Sequence, residues 1–391
     1  MKLLLMIVAV AFPLSVAAQQ GNSQTTSTAS VEVPTATGTT VQAQAANLVS
    51  IDSSLFSTYP AYSYMSPLAE DGTPQSQSKA SNEQTSSRPK IGGSMVGYID
   101  DAIVGSEIRV RFDAAGNDEF PDLAEFFYAK CGCYKSLGTL DPVALDPNTP
   151  GPGGGVPKDV NFQQLFVRAE LAPWRHFSFY VDVPFRWIQP QGFLAFPPFP
   201  PFGNQGGIGD VDAGVKVAVI ASTKQYLTFQ LQGDFPSGNA SDGLGTNHYS
   251  IAPELTYYQR LSGRAALEAE AGISAPIGGS AGVPITSSSG FAGSVFIYGV
   301  GPSYKIYEGE RAQIAPVLEL VGWHVLSGLY SNVGGTIDGT TNSAAGINIV
   351  NLKLGVRTNF GRNSIYVGYG HALTRITWYQ DIFRVEYRVA F

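Results

Sequence analysis

Ionisable side chains in this sequence recur at every second position of extended runs. The positions are Arg109 and Arg111, Arg168 and Glu170, Asp182 and Arg186, Lys216, Glu254, Glu268 and Glu270, Lys353 and Arg357, and Arg384, Glu386 and Arg388. In a strand successive side chains point to opposite faces, so a spacing of two collects these charges on one face. Gathered in an interior, opposite charges pair, because an unpaired buried charge is costly. Two kinds of chemistry fit such a face. One is a structural salt-bridge network that seals and rigidifies its surroundings; the other is a polar pathway for a small solute.

Other reactive residues are few. Cys131 and Cys133 are the only cysteines. In an oxidising compartment they can bridge, although so small a ring is strained, or they stay unpaired in a loop. As soft metal ligands they lack a neighbouring His or further Cys, so neither a metal nor a cofactor is expected. Hydrolysis would call on His176, His248, His324 or His371, the four histidines. His248 beside Ser250 and His324 near Ser327 are the pairs that would suit a lipid hydrolase embedded in a wall of strands. Neither lies in a G-x-S-x-G motif, so no catalytic residue is assigned. Gly151 to Gly155 opens no helix and cradles no phosphate. A formal net charge of -7 offers nothing to nucleic acid.

The strands that carry these charges show a consistent second face. Arg384 to Phe391 alternates strictly, with Val385, Tyr387, Val389 and Phe391 apolar and Arg384, Glu386 and Arg388 charged. Phe177, Phe179, Val181, Val183 and Phe185 likewise oppose Ser178, Tyr180, Asp182 and Arg186. A soluble sandwich would bury that apolar side against another sheet, whereas a membrane barrel turns it to lipid and the charges to the lumen. Loop lengths decide between them. Short polar connections at 173–175, 222–224, 262–264, 307–310 and 361–363 alternate with long Gly/Pro/Ser-rich ones at 114–159, 189–207, 237–246, 278–288 and 327–345. Short turns on one side and long loops on the other are a barrel's signature, and a sandwich has no reason to sort loops by parity. The count is about twelve strands, near 103–113, 161–172, 176–188, 208–221, 225–236, 248–260, 265–276, 290–304, 311–325, 347–360, 364–372 and 377–391. The expected fold is all-β, a transmembrane antiparallel barrel with both ends on the short-turn side. Ending on an aromatic strand resembles bacterial outer-membrane barrels, whose assembly machinery recognises such a terminus, and makes Phe391 the expected assembly signal.

The N-terminus points to export. Met1-Lys2, an apolar stretch from Leu3 to Leu14 and the small residues before Ala18 describe a signal peptide over residues 1–18. Residues 19–100 form a low-complexity Ser/Thr/Gln/Ala-rich tail that cannot bury enough apolar surface to order itself, and it is expected in the periplasm. An aromatic patch from Ser54 to Leu68 interrupts it as a docking or plug candidate. Residues 101–391 are the barrel. Charged residues are only 14%, against roughly 25% in soluble domains, which suits a wall that faces lipid.

Gly206-Gly207-Ile208-Gly209-Asp210-Val211-Asp212-Ala213-Gly214-Val215-Lys216 resembles the G-x-G-D-x-x-x-G-x-K strand opening of the outer-membrane proteins grouped as the phenol-degradation meta-pathway family. Asp234-Phe235-Pro236-Ser237-Gly238 resembles that family's strand end before a long loop. The resemblance spans about residues 160–391. It implies a barrel beside aromatic degradation, importing hydrophobic compounds. The expected function is therefore passive uptake of a small hydrophobic or aromatic solute across the outer membrane. A barrel-embedded lipid hydrolase and a surface-display barrel with a sealed lumen are the alternatives. Expected partners are outer-membrane lipid, the barrel-assembly machinery and the solute.

Overall fold

The computed structural model describes residues 93–137, 142–153, 155–193, 201–285, 288–331 and 341–391. The expected signal peptide, the tail up to residue 92 with its aromatic patch, and most of the Pro-rich run at 196–202 lie outside the described residues.

Strands account for nearly all the regular structure. They are β1 (Glu107–Asp118), β2 (Pro157–Trp174), β3 (Phe177–Phe193), β4 (Gln205–Ile208), β5 (Val211–Ala221), β6 (Gln225–Phe235), β7 (Tyr249–Arg260) and β8 (Ala265–Ile277). Then follow β9 (Val295–Tyr304), β10 (Tyr307–Glu308), β11 (Gln313–Val325), β12 (Leu329–Ser331), β13 (Thr341–Ser343), β14 (Asn348–Phe360), β15 (Asn363–Ala372) and β16 (Asp381–Ala390). Each long strand pairs antiparallel with its neighbours, and β4 and β5 share one position beside β3. The last strand closes on the first, with Arg109 opposite Arg388 and Arg111 opposite Glu386. The result is a closed antiparallel barrel of twelve staves. Closure leaves no strand edge unpaired, which is what a sheet surrounded by lipid requires.

Alternation sets the two faces. On β16, Phe383, Val385 and Tyr387 are exposed while Arg384, Glu386 and Arg388 are buried. On β3 the exposed Phe179 and Val181 flank the buried Tyr180 and Asp182. The short connections are tight: β14 passes to β15 through Gly361 and Arg362, between the paired Phe360 and Asn363. Gly361 has φ +63°, the left-handed geometry that a glycine takes in a two-residue hairpin without steric penalty.

Two features depart from the sequence reading. Strand β1 starts at Glu107 rather than at 103, and β9 starts at Val295 rather than at 290. Residues 93–106, expected partly as tail and partly as first strand, are neither. They form a re-entrant segment inside the barrel, with Met95, Val96, Ile99 and Ala102 buried. The second feature is the long β1–β2 connection, which folds over the long-loop end. Its Leu123, Phe127 and Tyr128 join Phe162, Ile188, Leu244, Val325, Ile349, Trp378 and Tyr379 in one apolar cluster.

Candidate functional site

The lumen is the site. The re-entrant segment enters it at the short-turn end, where Phe391 donates its N–H to the Ser106 carbonyl at 3.1 Å. Above this, Thr228 donates to the Ala102 carbonyl at 2.5 Å and Arg388 pairs with Asp101 at 3.0 Å. The chain turns at Gly97 and Tyr98, then descends to Met95, whose N–H meets Glu268 at 2.9 Å. Tyr98 is the apex. Gly97 makes that turn because a Cβ there would collide with the ring of Tyr366, which fills the space beneath it.

The barrel holds this segment mainly by its backbone. Glu319 on β11 accepts the N–H groups of Gly97, Tyr98 and Ile99 at 3.2, 2.8 and 2.9 Å, together with the Tyr366 hydroxyl at 2.9 Å. Arg357 donates to the carbonyls of Met95 and Val96 at 3.0 and 2.5 Å, and Arg384 to that of Gly97 at 2.6 Å. Glu270 accepts the Asp100 N–H at 2.6 Å, while Gln230 donates to the Asp100 carboxylate at 2.8 Å. Lys216 reaches the Asp101 carbonyl at 3.2 Å. Charge-assisted bonds of this kind are roughly twice as strong as neutral ones.

The charged residues singled out from the sequence lie on this face, and all but Arg111 and Arg186 are buried. Arg168 pairs with Asp182, and Lys216 with Glu170, each at 3.0 Å. Glu386 lies between Arg357 at 2.8 Å, Arg388 at 2.5 Å and Arg109 at 4.0 Å. Arg384 binds Asp113 at 2.6 Å, and Arg111 lies 3.4 Å from the same carboxylate. Arg186 donates to the Phe127 carbonyl at 2.7 Å, tying β3 to the capping loop. One carboxylate oxygen of each of Asp182, Glu254, Glu268 and Glu386 has no hydrogen-bond partner among the described residues. Taken alone, the first and last strands suggest a positive wall facing the acidic β7 and β8. The structure corrects that. Glu107, Asp113 and the segment's own Asp101 neutralise the arginines.

Sequence reasoning missed Tyr98, Asp100, Asp101 and Asp113. The available signal was a change of composition at Ile91, where the Ser/Thr/Gln-rich run gives way to Met95, Val96, Tyr98, Ile99 and a pair of aspartates.

The cap over the long-loop end has its own polar anchors. Asp122 accepts the Ser331 N–H at 3.1 Å and hydroxyl at 2.5 Å, and the Cys131 N–H at 3.2 Å. Burial raises its carboxyl above the usual range, although these bonds favour the charged form. Burial also acts to raise Asp146, yet its bond to the Lys130 ammonium at 2.9 Å holds it below the usual range. Glu125 accepts from Lys130 and Ser280. Cys131 and Cys133 are joined by a disulfide within this cap. His248 hydrogen-bonds the Thr246 carbonyl at 3.0 Å and lies 3.8 Å from Glu125, while Ser327 accepts the Ser294 N–H at 2.9 Å. One member of each candidate histidine–serine pair, His248 and Ser327, thus has another partner.

Residues 152–275 match the sequence pattern of the family described as "Putative MetA-pathway of phenol degradation". Over that stretch the chain is similar to this family, and its fold is an outer-membrane-type barrel. The matched stretch reaches from just before β2 nearly to the end of β8 and contains the glycine-rich motif, whose parts the geometry explains. Asp210, at the break between β4 and β5, accepts the N–H groups of Gly238 and Thr246 at 3.0 and 2.7 Å and so pins the next long loop. Gly214 leaves room for the Tyr180 ring, and Lys216 reaches both Glu170 and the re-entrant segment.

Among solved structures, the chain is similar to an outer-membrane channel from Pseudomonas putida F1, at 14% identity and a TM-score of 0.45, over 74% of this chain and 96% of that one. The KdgM porin aligns at 9% identity and a TM-score of 0.36, over 73% and 99%. The β domain of the Bordetella autotransporter BrkA aligns at 11% identity and a TM-score of 0.40, over 73% and 100%. No curated protein sequence matches the chain.

Proposed function

We propose that this barrel is a channel for passive uptake of a small hydrophobic or aromatic solute, shut in the present state by residues 93–106. One observation carries the reading: the lumen holds a complete turn of polypeptide, down both of whose limbs the wall bonds backbone atoms. Barrels of about eight strands are filled by their own wall side chains, whereas 16–18 strands leave an aqueous channel. Twelve staves lie between these limits, and space that admits a folded-back chain admits a small solute once the chain withdraws. The residues lining that path are Arg109, Arg168, Lys216, Glu254, Glu268, Glu270, Lys353, Arg357, Arg384, Glu386 and Arg388. The family match points the solute toward aromatics. Export by the signal peptide over residues 1–18 and placement of the short-turn end in the periplasm complete the proposal.

A strain lacking the protein should take up at least one aromatic growth substrate more slowly at low external concentration, with recovery on re-expression. A panel of aromatic and aliphatic solutes on which the two strains behave alike would remove the transport reading.

The same proposal gives Phe391 a role in assembly. It is about half exposed, at 53%, just beyond a strand whose outward residues are Phe383, Val385 and Tyr387. Deleting Phe391, or Phe391→Ala, should lower the amount of heat-modifiable barrel in outer-membrane fractions several-fold. Undiminished folded protein after deletion would count against a terminal recognition signal.

A further inference from the structure

Tyr98 is held as a bound ligand would be held. Its ring centroid lies 4.0 Å from the Lys353 Nζ and 4.1 Å from the Arg384 guanidinium carbon. Tyr366 packs against it edge-on, with ring centroids 6.0 Å apart and planes at 83°. Lys353 also lies 5.2 Å from the ring of Trp323 and 5.4 Å from that of Tyr379, and it donates to the Tyr379 hydroxyl at 2.9 Å. No carboxylate among the described residues comes within salt-bridge distance of Lys353, so its ammonium is surrounded chiefly by aromatic faces. Cations are drawn to the negative face of an aromatic ring, and the attraction grows when water is excluded. Every part of this seat comes from the barrel, on β11, β14, β15 and β16 and the β15–β16 connection. Its occupant alone comes from the re-entrant segment.

The occupant is a phenol. Its hydroxyl is buried without a hydrogen-bond partner among the described residues, so the seat holds the ring and not the oxygen. Tyr98 is also the apex of the segment, the first group a solute descending from the capped end would meet.

We propose that the seat formed by Trp323, Lys353, Tyr366, Tyr379 and Arg384 is a binding site for a single aromatic ring, such as a monocyclic phenol, and that Tyr98 occupies it as a tethered competitor. This rests on the channel reading and supplies it with a recognition site. A solute ring that takes the seat displaces the apex and loosens the segment; when the solute leaves, the tethered ring returns. No bond is made or broken.

The test uses the purified full-length barrel in detergent, with p-cresol as the probe because it is the tyrosine side chain freed from its backbone. The non-aromatic control of the same size is 4-methylcyclohexanol. Tyr98→Ala should bind one p-cresol per barrel at least tenfold more tightly than wild type, because tethering gives Tyr98 a millimolar-range effective concentration. It should favour p-cresol over the control at least tenfold. Tyr98→Phe should behave like wild type, since the hydroxyl has no partner. Adding Lys353→Met to Tyr98→Ala should abolish the preference for the aromatic probe.

In the unmodified barrel, p-cresol and not the control should speed amide hydrogen exchange across residues 95–101, a readout independent of any variant's folding. Equal binding of both probes to Tyr98→Ala would reduce the seat to a simple cavity, and no gain over wild type would remove the competition. The channel reading has its own test in uptake. Ring binding without uptake would leave the seat and refute the channel, whereas uptake without ring binding would do the reverse.

Discussion

A barrel lacking residues 93–106 is expected to expose the side chains around its lumen to water from the short-turn end. The reporter is Thr228→Cys. In the intact barrel Thr228 is fully buried, its hydroxyl on the Ala102 carbonyl. With the segment deleted, a thiol there should react with a charged maleimide at least 100-fold faster. The native cysteines are joined to each other and do not compete. Closure of β1 on β16 begins at Glu107, so the deletion spares every pair in that register. Arg357, Arg384 and Glu319 lose their backbone partners but gain water, so the barrel should remain folded and heat-modifiable. On intact cells the same thiol should stay slow until the outer membrane is breached, because the short turns are proposed to face the periplasm. A folded deletion variant with unchanged reactivity would mean that something other than the segment closes the lumen.

The second large effect is expected on stability. Glu386 is buried beside Arg357, Arg388 and Arg109, and neutralises a strand seam on which Arg109 faces Arg388 directly. Removing one partner of a buried ion pair leaves an uncompensated charge, and such changes typically cost about 3–5 kcal/mol. Glu386→Ala should fall in that range by urea unfolding in liposomes. Glu386→Gln, which keeps an acceptor, should recover part of the loss. Val385→Ala, one residue away on the outer face, should have a much smaller effect. A loss of under about 1 kcal/mol for Glu386→Ala would show that water already reaches this cluster and that its charges need no partner.

The barrel was legible in the sequence because its information is local. Val385, Tyr387, Glu386 and Arg388 declare the two faces of β16 within four residues, and Gly361-Arg362 declares a turn within two. Loop parity then orders the strands without any knowledge of their partners. The re-entrant segment has neither advantage. Met95, Val96 and Ile99 stand three and four apart, the spacing of a helical face, yet the segment forms no helix, since its neighbours are a barrel wall on every side rather than one core face. Its contacts with Glu319, Arg357 and Arg384 span more than two hundred residues of sequence, and nothing near residue 97 announces them. The inward charges were visible one strand at a time. Their pairing was not, because it depends on register across closure and on Asp101, which reaches the arginines only after the segment folds back.

Because Glu319, Arg357 and Arg384 grasp peptide groups, their part of the grip is indifferent to which side chains the segment carries. Gly97, which must pass the Tyr366 ring, the apex residue that enters the aromatic seat, and Met95, Val96 and Ile99, buried against Val317 and Val321, are tied to their neighbours by shape. Asp100 and Asp101 are tied by their carboxylates, which meet Gln230 and Arg388. On the proposed reading of the seat, altered selectivity lies within reach of a single codon: a change at position 98 replaces the resident ring, while the twelve-stave wall, its register and its lipid-facing surface carry over unchanged. An engineer seeking a barrel that responds to a different solute would begin there.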